Sequence, residues 1–191
     1  MEMTLRWFGK KFDSVTLEQI RQIPGVTGVV TTLYDTMPGE VWKVEKIRAI
    51  KKEVEDAGLR IAGIESVNIH DSIKVGSDDR DKYIENYITT LERLGKEKID
   101  VVCYNFMPVF DWTRSDLAKV RNDGSTVLSY DQELIDKINL ENLLSSMDSK
   151  SNGFELPGWE PQRMARIKEL FELYRDVDNE KLFSNLKYFL E

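Results

Sequence analysis

The chain has 191 residues, 41% hydrophobic and 32% charged, with a net charge of −7. That composition fits one soluble domain with a sizeable core, and the acidic balance argues against a protein held to nucleic acid by phosphate contacts. No apolar run approaches the roughly 18 residues a membrane helix needs, the opening "MEMTLRWFGKKF" lacks the apolar region of a signal peptide, and the single Cys103 excludes an intramolecular disulfide. The expected location is cytoplasmic.

Short β-rich runs alternate with helix-period runs along the first hundred residues. "TLRWFG" (4–9) reads as a first strand ended by Gly9. In "VTLEQIRQI", Thr16 is a candidate N-cap with Gln19 three residues on, a capping-box spacing. Leu17, Ile20 and Ile23 share a face, and Pro24-Gly25 stops the helix. "TGVVTTLYD" (27–35) is the second strand. "VEKIRAIKKEVEDAG" (44–58) is the second helix, with Val44, Ile47, Ile50 and Val54 inward and Gly58 just past its end. "LRIAGIESV" (59–67) is the third strand. "DRDKYIENYITTLERLG" (79–95) is the third helix, with Ile84, Tyr87, Ile88, Leu91 and Leu94 inward. "IDVVCYNF" (99–106) is a fourth strand, its apolar run expected to be covered on both faces, with Cys103 buried by packing.

After it, residues 113–160 read as polar loop, a short helix near Asp131–Leu144, and the stretch "SSMDSKSNG". Two helices close the chain. One lies near Pro161–Tyr174, with Met164, Ile167, Leu170, Phe171 and Tyr174 inward; the other lies near Asn179–Leu190, with Leu182, Leu186, Phe189 and Leu190 inward. The alternation predicts βαβ units and a parallel sheet.

In such sheets ligands bind at the carboxyl ends of the strands, where the βα loops gather. That rule selects Arg6 and Trp7, Tyr34 and Asp35, Glu65 with the loop "SVNIHD" and the single histidine, His70, and then Tyr104, Asn105 and the loop to Arg114. Each also has a plainer reading. Trp7 reads as rim packing, Glu65 as a salt-bridge partner and His70 as a loop hydrogen-bonder. Asp111 and Arg114 read as a surface pair, and Trp112 as either an apolar cap or the flat wall of a sugar site. Asn105 is well placed to hold a hydroxyl or carboxylate oxygen. Dinucleotide, P-loop and nucleophile-elbow signatures are absent, and one His with one Cys cannot form a His/Cys-rich metal site.

The stretches "LRWFG", "RQIPGVTGVV", "GIESVNIHD", "VVCYNFMPVFDWTRSDL" and "LPGWE" occur in the order in which the mannonate dehydratase family has them. The chain resembles that family over essentially its whole length, and the run 101–117 is its most specific part. The resemblance implies an α/β fold, a (β/α)8 TIM barrel of the xylose isomerase-like kind. Residues 1–191 would supply the N-terminal half of that single domain: about the first four βα units, with a helical insert at about 113–178. It implies a hydro-lyase that dehydrates D-mannonate to 2-keto-3-deoxy-D-gluconate in hexuronate catabolism with Mn²⁺ or Fe²⁺. The family's metal ligands, two His, a Cys and an Asp, come from a second half expected beyond Glu191, so no metal ligand is assigned here. Arg6, Trp7, Glu65, His70, Asn105 and Trp112 are the expected substrate-binding residues, and the catalytic acid and base are not assigned.

An open half-barrel would expose apolar strand edges. The expectation is therefore a homo-oligomer or association with the missing half, with a small sugar acid and neither nucleic acid nor membrane as partner. A catalytically inactive half-barrel that binds a sugar acid or a partner chain is the alternative. Another metal-dependent sugar isomerase of this barrel type is disfavoured by the run 101–117.

Overall fold

A computed structural model describes residues 2–109, 114–136 and 166–191. Its organising element is a three-stranded parallel sheet in the order β1-β2-β3, formed by Met3–Arg6, Val26–Thr31 and Arg60–Ile64. Leu5 pairs with Val29 and Arg6 with Val30 on one side of β2, while Val30 pairs with Gly63 and Thr31 with Ile64 on the other. All three strands therefore finish at the same end of the sheet. Backbone bonding to β2 continues one residue past β1 and β3, with Trp7 N–H donating to Val30 C=O at 2.9 Å and Glu65 N–H to Thr31 C=O at 2.9 Å, before the chain enters the loops.

Helix α1 (Leu17–Arg21) follows β1 and α2 (Val44–Asp56) follows β2. The capping box is present at α1: Gln19 N–H donates to Thr16 Oγ1 at 3.2 Å, and Thr16 N–H donates to Gln19 Oε1 at 2.9 Å. Leu17 and Ile20 turn into the core, whereas Ile23 lies past the helix and is exposed. α2 buries Ile47 and Val54 and ends ahead of Gly58, which takes the left-handed conformation at φ +76°. These side chains meet Val26, Val29, Ile61 and Ile64 in one continuous core with Trp7, Trp42 and Leu94.

A short helix not anticipated from the sequence, α3 (Asp71–Val75), precedes the long α4 (Arg80–Lys96). The buried face of α4 is narrower than its periodicity predicts. Tyr87 and Leu94 are buried, but Ile88 is 49% and Leu91 37% exposed. The centre of the buried face is Thr90, whose hydroxyl accepts from Trp42 N–H at 3.2 Å and donates to Asn86 C=O at 2.9 Å. A polar residue satisfied in this way takes a core position that a hydrophobic pattern assigns to its neighbours.

Residues 99–106 lie parallel to β3 where the fourth strand was expected, but the pairing is one bridge, Ile64 to Val102. Ile64 N–H donates to Val101 C=O at 2.9 Å and Cys103 N–H donates to Ile64 C=O at 2.8 Å. The expectation of a strand covered on both faces is not met. Val101 is 53% exposed and Cys103 is exposed, because among the described residues no element covers them on the side away from β3.

The stretch read as polar loop after residue 113 contains a β-hairpin, β4 (Asp116–Val120) with β5 (Thr126–Ser129). Its turn is built on Asp123-Gly124: Gly124 takes φ +82°, Asp123 Oδ1 accepts from Ser125 N–H at 3.0 Å, and Arg121 N–H donates to Ser125 C=O at 2.8 Å. Asp-Gly between two short β-rich runs is a hairpin signal, so this element was legible. The helix expected at Asp131–Leu144 is described only as α5 (Gln132–Asp136), and "SSMDSKSNG", "LPGWE" and Met164 lie outside the described residues.

The closing helices are α6 (Ile167–Leu173) and α7 (Asn179–Leu190). Leu170 and Tyr174 are buried as expected, whereas Phe171 and Leu190 are exposed. α7 returns to the α3–α4 corner. Asn185 Nδ2 donates to Lys74 C=O at 2.8 Å, Phe189 packs edge-on against Tyr87 at 5.1 Å, and Arg80 stacks over the Tyr188 ring at 3.6 Å. No helix among the described residues is long and apolar enough to cross a membrane.

Ile47 is fully buried in the first turn of α2. Ile47→Ala should lower unfolding stability by about 2–5 kcal/mol through lost burial and the cavity it leaves. Urea denaturation of the two chains measures this, and a change below about 1 kcal/mol would contradict the central place given to α2.

Candidate functional site

The shared carboxyl end of the sheet gathers three polar clusters. Arg6 closes β1, Tyr34 stands three residues beyond β2, and Glu65 follows β3 directly. Arg6 donates from Nη2 to Tyr34 Oη at 2.9 Å and from Nη1 to Glu65 Oε2 at 3.4 Å, and its guanidinium lies 4.9 Å from the Phe8 ring centroid. Phe12 packs edge-on against Tyr34 at 5.0 Å. Burial pushes the Tyr34 phenol above its ordinary value, and Arg6 opposes that shift by charge and hydrogen bond. The Arg6–Glu65 pair is partly solvated, with side chains 25% and 49% exposed, so it contributes less than about 1 kcal/mol to stability. It is an ion pair that an incoming anion can reorganise at small cost.

The second cluster lies one residue deeper. Ser66 is buried; its backbone carbonyl accepts from Thr32 Oγ1 at 2.7 Å, and its hydroxyl donates to Asn68 Oδ1 at 3.2 Å. Asn105 reaches across from the neighbouring chain segment and donates from Nδ2 to Ser66 Oγ at 3.0 Å. The bridge of residues 101–103 to β3 sets this distance, since it fixes how far along β3 the 99–106 segment lies. The peptide between Glu65 and Ser66 is cis.

The third cluster surrounds His70. Its Nδ1 accepts from Ser72 N–H at 3.2 Å, capping α3, and its ring stacks on Tyr83 with centroids 3.6 Å apart and planes 12° apart. Burial lowers its pKa below the usual imidazole value; Asp71 and Asp79 act against that shift, and Arg166 and Lys74 act with it.

Of the residues singled out from the sequence, Arg6 and Glu65 are in contact, Asn105 joins Ser66, and His70 stands apart with Tyr83. Trp7 is only 2% exposed, its indole N–H has no protein acceptor among the described residues, and it borders the grooves on either side of Lys10. Asp35 pairs with Lys46 at 2.7 Å. Trp112 and Asp111 lie outside the described residues. Ser66, Asn68 and Tyr83 were not singled out individually. Ser66 and Asn68 sit in the "SVNIHD" loop, so the strand-end rule pointed at them; Tyr83 is on a helix and gave no such signal. Among the described residues no three His, Cys, Asp or Glu side chains converge as a metal site.

Comparison with known proteins gives the family. The model of the D-mannonate dehydratase (UxuA) family matches residues 1–191. The chain belongs to the mannonate dehydratase family. It is 73% identical over 190 residues to a mannonate dehydratase of Brachyspira hyodysenteriae, covering 100% of this chain and 54% of that protein. It is 55% identical over 191 residues to the enzyme so named in Thermotoga neapolitana, covering 100% of this chain and 53% of the relative. The crystal structure of mannonate dehydratase from Streptococcus suis serotype 2 superposes with a TM-score of 0.81 at 43% identity, covering all of this chain and 48% of that one. The chain thus spans about half the length of the curated relatives it matches.

Arg6 lowers the Tyr34 pKa by charge and by donation to the phenol oxygen. Arg6→Met should therefore raise the Tyr34 titration midpoint, read from the tyrosine Cζ resonances on alkaline titration. A midpoint that is unchanged or lower would contradict the contact.

Proposed function

We propose that this chain supplies the substrate-facing part of a mannonate dehydratase, in which D-mannonate loses water to give 2-keto-3-deoxy-D-gluconate. The observation that carries the reading is the correspondence of the whole chain, at 73% identity, to a protein named mannonate dehydratase. The strand-end geometry fits a sugar acid. The reaction removes the proton α to a carboxylate and expels the neighbouring hydroxyl, so the protein must hold an anionic end and a row of hydroxyls in fixed register. Arg6 offers a guanidinium to the carboxylate in exchange for its partly solvated pair with Glu65. Asn105 and Ser66 offer amide and hydroxyl groups already ordered by each other. Trp7, buried at the end of β1, His70 and Trp112 are assigned to the wall of the site.

Three parallel strands in order, with a fourth segment bridged to the third, support the first four βα units of a (β/α)8 barrel with an insert at about 113–178. The exposed edge at Val101 and Cys103 suits cover by the remainder of that barrel or by a second copy. Family resemblance brings in Mn²⁺ or Fe²⁺. The described residues do not provide a ligand set for either ion.

The test is incubation of the protein with D-mannonate and Mn²⁺ and detection of the keto-deoxy acid. In the active enzyme Arg6→Ala should lower kcat/KM by about 10- to 150-fold, the loss of a charged hydrogen bond of roughly 1.5–3 kcal/mol. An Arg6→Ala enzyme with unchanged kcat/KM would remove Arg6 from the substrate site.

A further inference from the structure

We propose that Tyr83 and Tyr174 are positioning residues for His70, holding its imidazole in the one orientation in which Nδ1 keeps its Ser72 cap, so that Nε2–H donates to a substrate oxygen. The role rests on the reading of the strand-end rim as the mannonate site. The tautomer follows from the cap: Nδ1 accepts from Ser72 N–H at 3.2 Å, so it carries the lone pair and the proton sits on Nε2. Nε2 has no hydrogen-bond partner among the described residues and is not sealed from solvent.

The ring is held at one face and along one edge. Tyr83 stacks on it with centroids 3.6 Å apart. Gly39 closes the edge: a Cβ there would come within 2.8 Å of His70 Cδ2 and 2.6 Å of Tyr83 Cδ1, and its φ of +84° is itself a conformation suited to glycine. Asn86 Nδ2 holds Gly39 in place by donating to its carbonyl at 2.8 Å.

The backbone bearing His70 is fixed from the far end of the chain. Tyr174 Oη donates to Asp71 Oδ1 at 2.8 Å, and Asp71 is the first residue of the helix that His70 caps. Asn185 Nδ2 donates to the carbonyl of Lys74 near the other end of the same helix, at 2.8 Å. A five-residue helix has little stability of its own, so these long-range bonds set where the imidazole stands. Burial, assisted by Arg166 and Lys74 and resisted by Asp71 and Asp79, shifts the ring toward its uncharged form. That is the state in which a single ring nitrogen is a donor.

The chain has one histidine, so its imidazole signals are unambiguous. Imidazole ¹⁵N spectra of the chain and its variants at neutral pH, with and without D-mannonate, test the assignment. The expected result is the Nε2–H pattern in the parent chain and in Tyr83→Phe, and an averaged pattern without the ring-current shift in Tyr83→Leu. Tyr174→Phe should raise the His70 titration midpoint, because Asp71 loses a donor that offsets its charge. D-mannonate should move the Nε2 resonance of the parent chain. An Nε2–H pattern that persists in Tyr83→Leu, or an unmoved midpoint in Tyr174→Phe, overturns the positioning role. A fixed tautomer whose Nε2 signal ignores D-mannonate overturns instead the rim reading beneath it.

Discussion

The parallel pairing of β2 with both β1 and β3 is the constraint on which the rest depends. Because the strands run the same way, Arg6 lies level with Val30 and Gly63, one residue short of the Thr31–Ile64 pair, and the residues just beyond them are neighbours although they are far apart in sequence. Arg6 and Glu65 are 59 residues apart and in contact for this reason alone. A slip of one residue in any strand would turn these side chains to the other face of the sheet. The apolar pressure that prevents such a slip comes from below the rim: Val29, Ile61 and Ile64 locked against Ile47 and Val54. The core thus fixes the register, and the register brings the rim residues together.

The rim is built in two ways. Around Arg6 the ion pair with Glu65 is long and partly solvated, as suits groups that must reorganise around a ligand. Around Ser66 and His70 the groups are buried or half-buried and held by several directed bonds. The second kind depends on the end of the chain: α6 and α7 return to α3 through Tyr174 and Asn185. Residues more than 100 positions from His70 therefore belong to its immediate support, and their place is decided by polar contacts rather than by the apolar faces of the helices.

Much of the βα order was legible because it rests on local rules. The Thr16 capping box, the stop at Gly58 and the inward faces of α2 depend on residues within one or two turns of each other. The strand-end rule likewise put Arg6, Glu65 and Asn105 near the carboxyl ends of the strands without any contact information. What was not legible has nonlocal causes. Thr90 sits in a core face because Trp42 offers it an N–H. Val101 and Cys103 read as a buried strand, yet burial depends on what lies beside a strand, and its own residues do not encode that. Tyr83 became part of the His70 cluster through a stacking contact that no periodicity signals. The Asp123-Gly124 hairpin is a different case, a local signal that the polar surroundings outweighed.

The central claim is that one ligand is read at the carboxyl ends of the strands. Titration of D-mannonate into ¹⁵N-labelled protein, followed by backbone and side-chain amide spectra, tests it most directly. The account predicts shifts concentrated at Arg6, Tyr34, Glu65, Ser66, His70 and Asn105, with Gly25, Gly58 and Lys98 at the opposite end of the sheet unmoved. Shifts centred on that opposite end, or on the groove between α1 and α2, would contradict it.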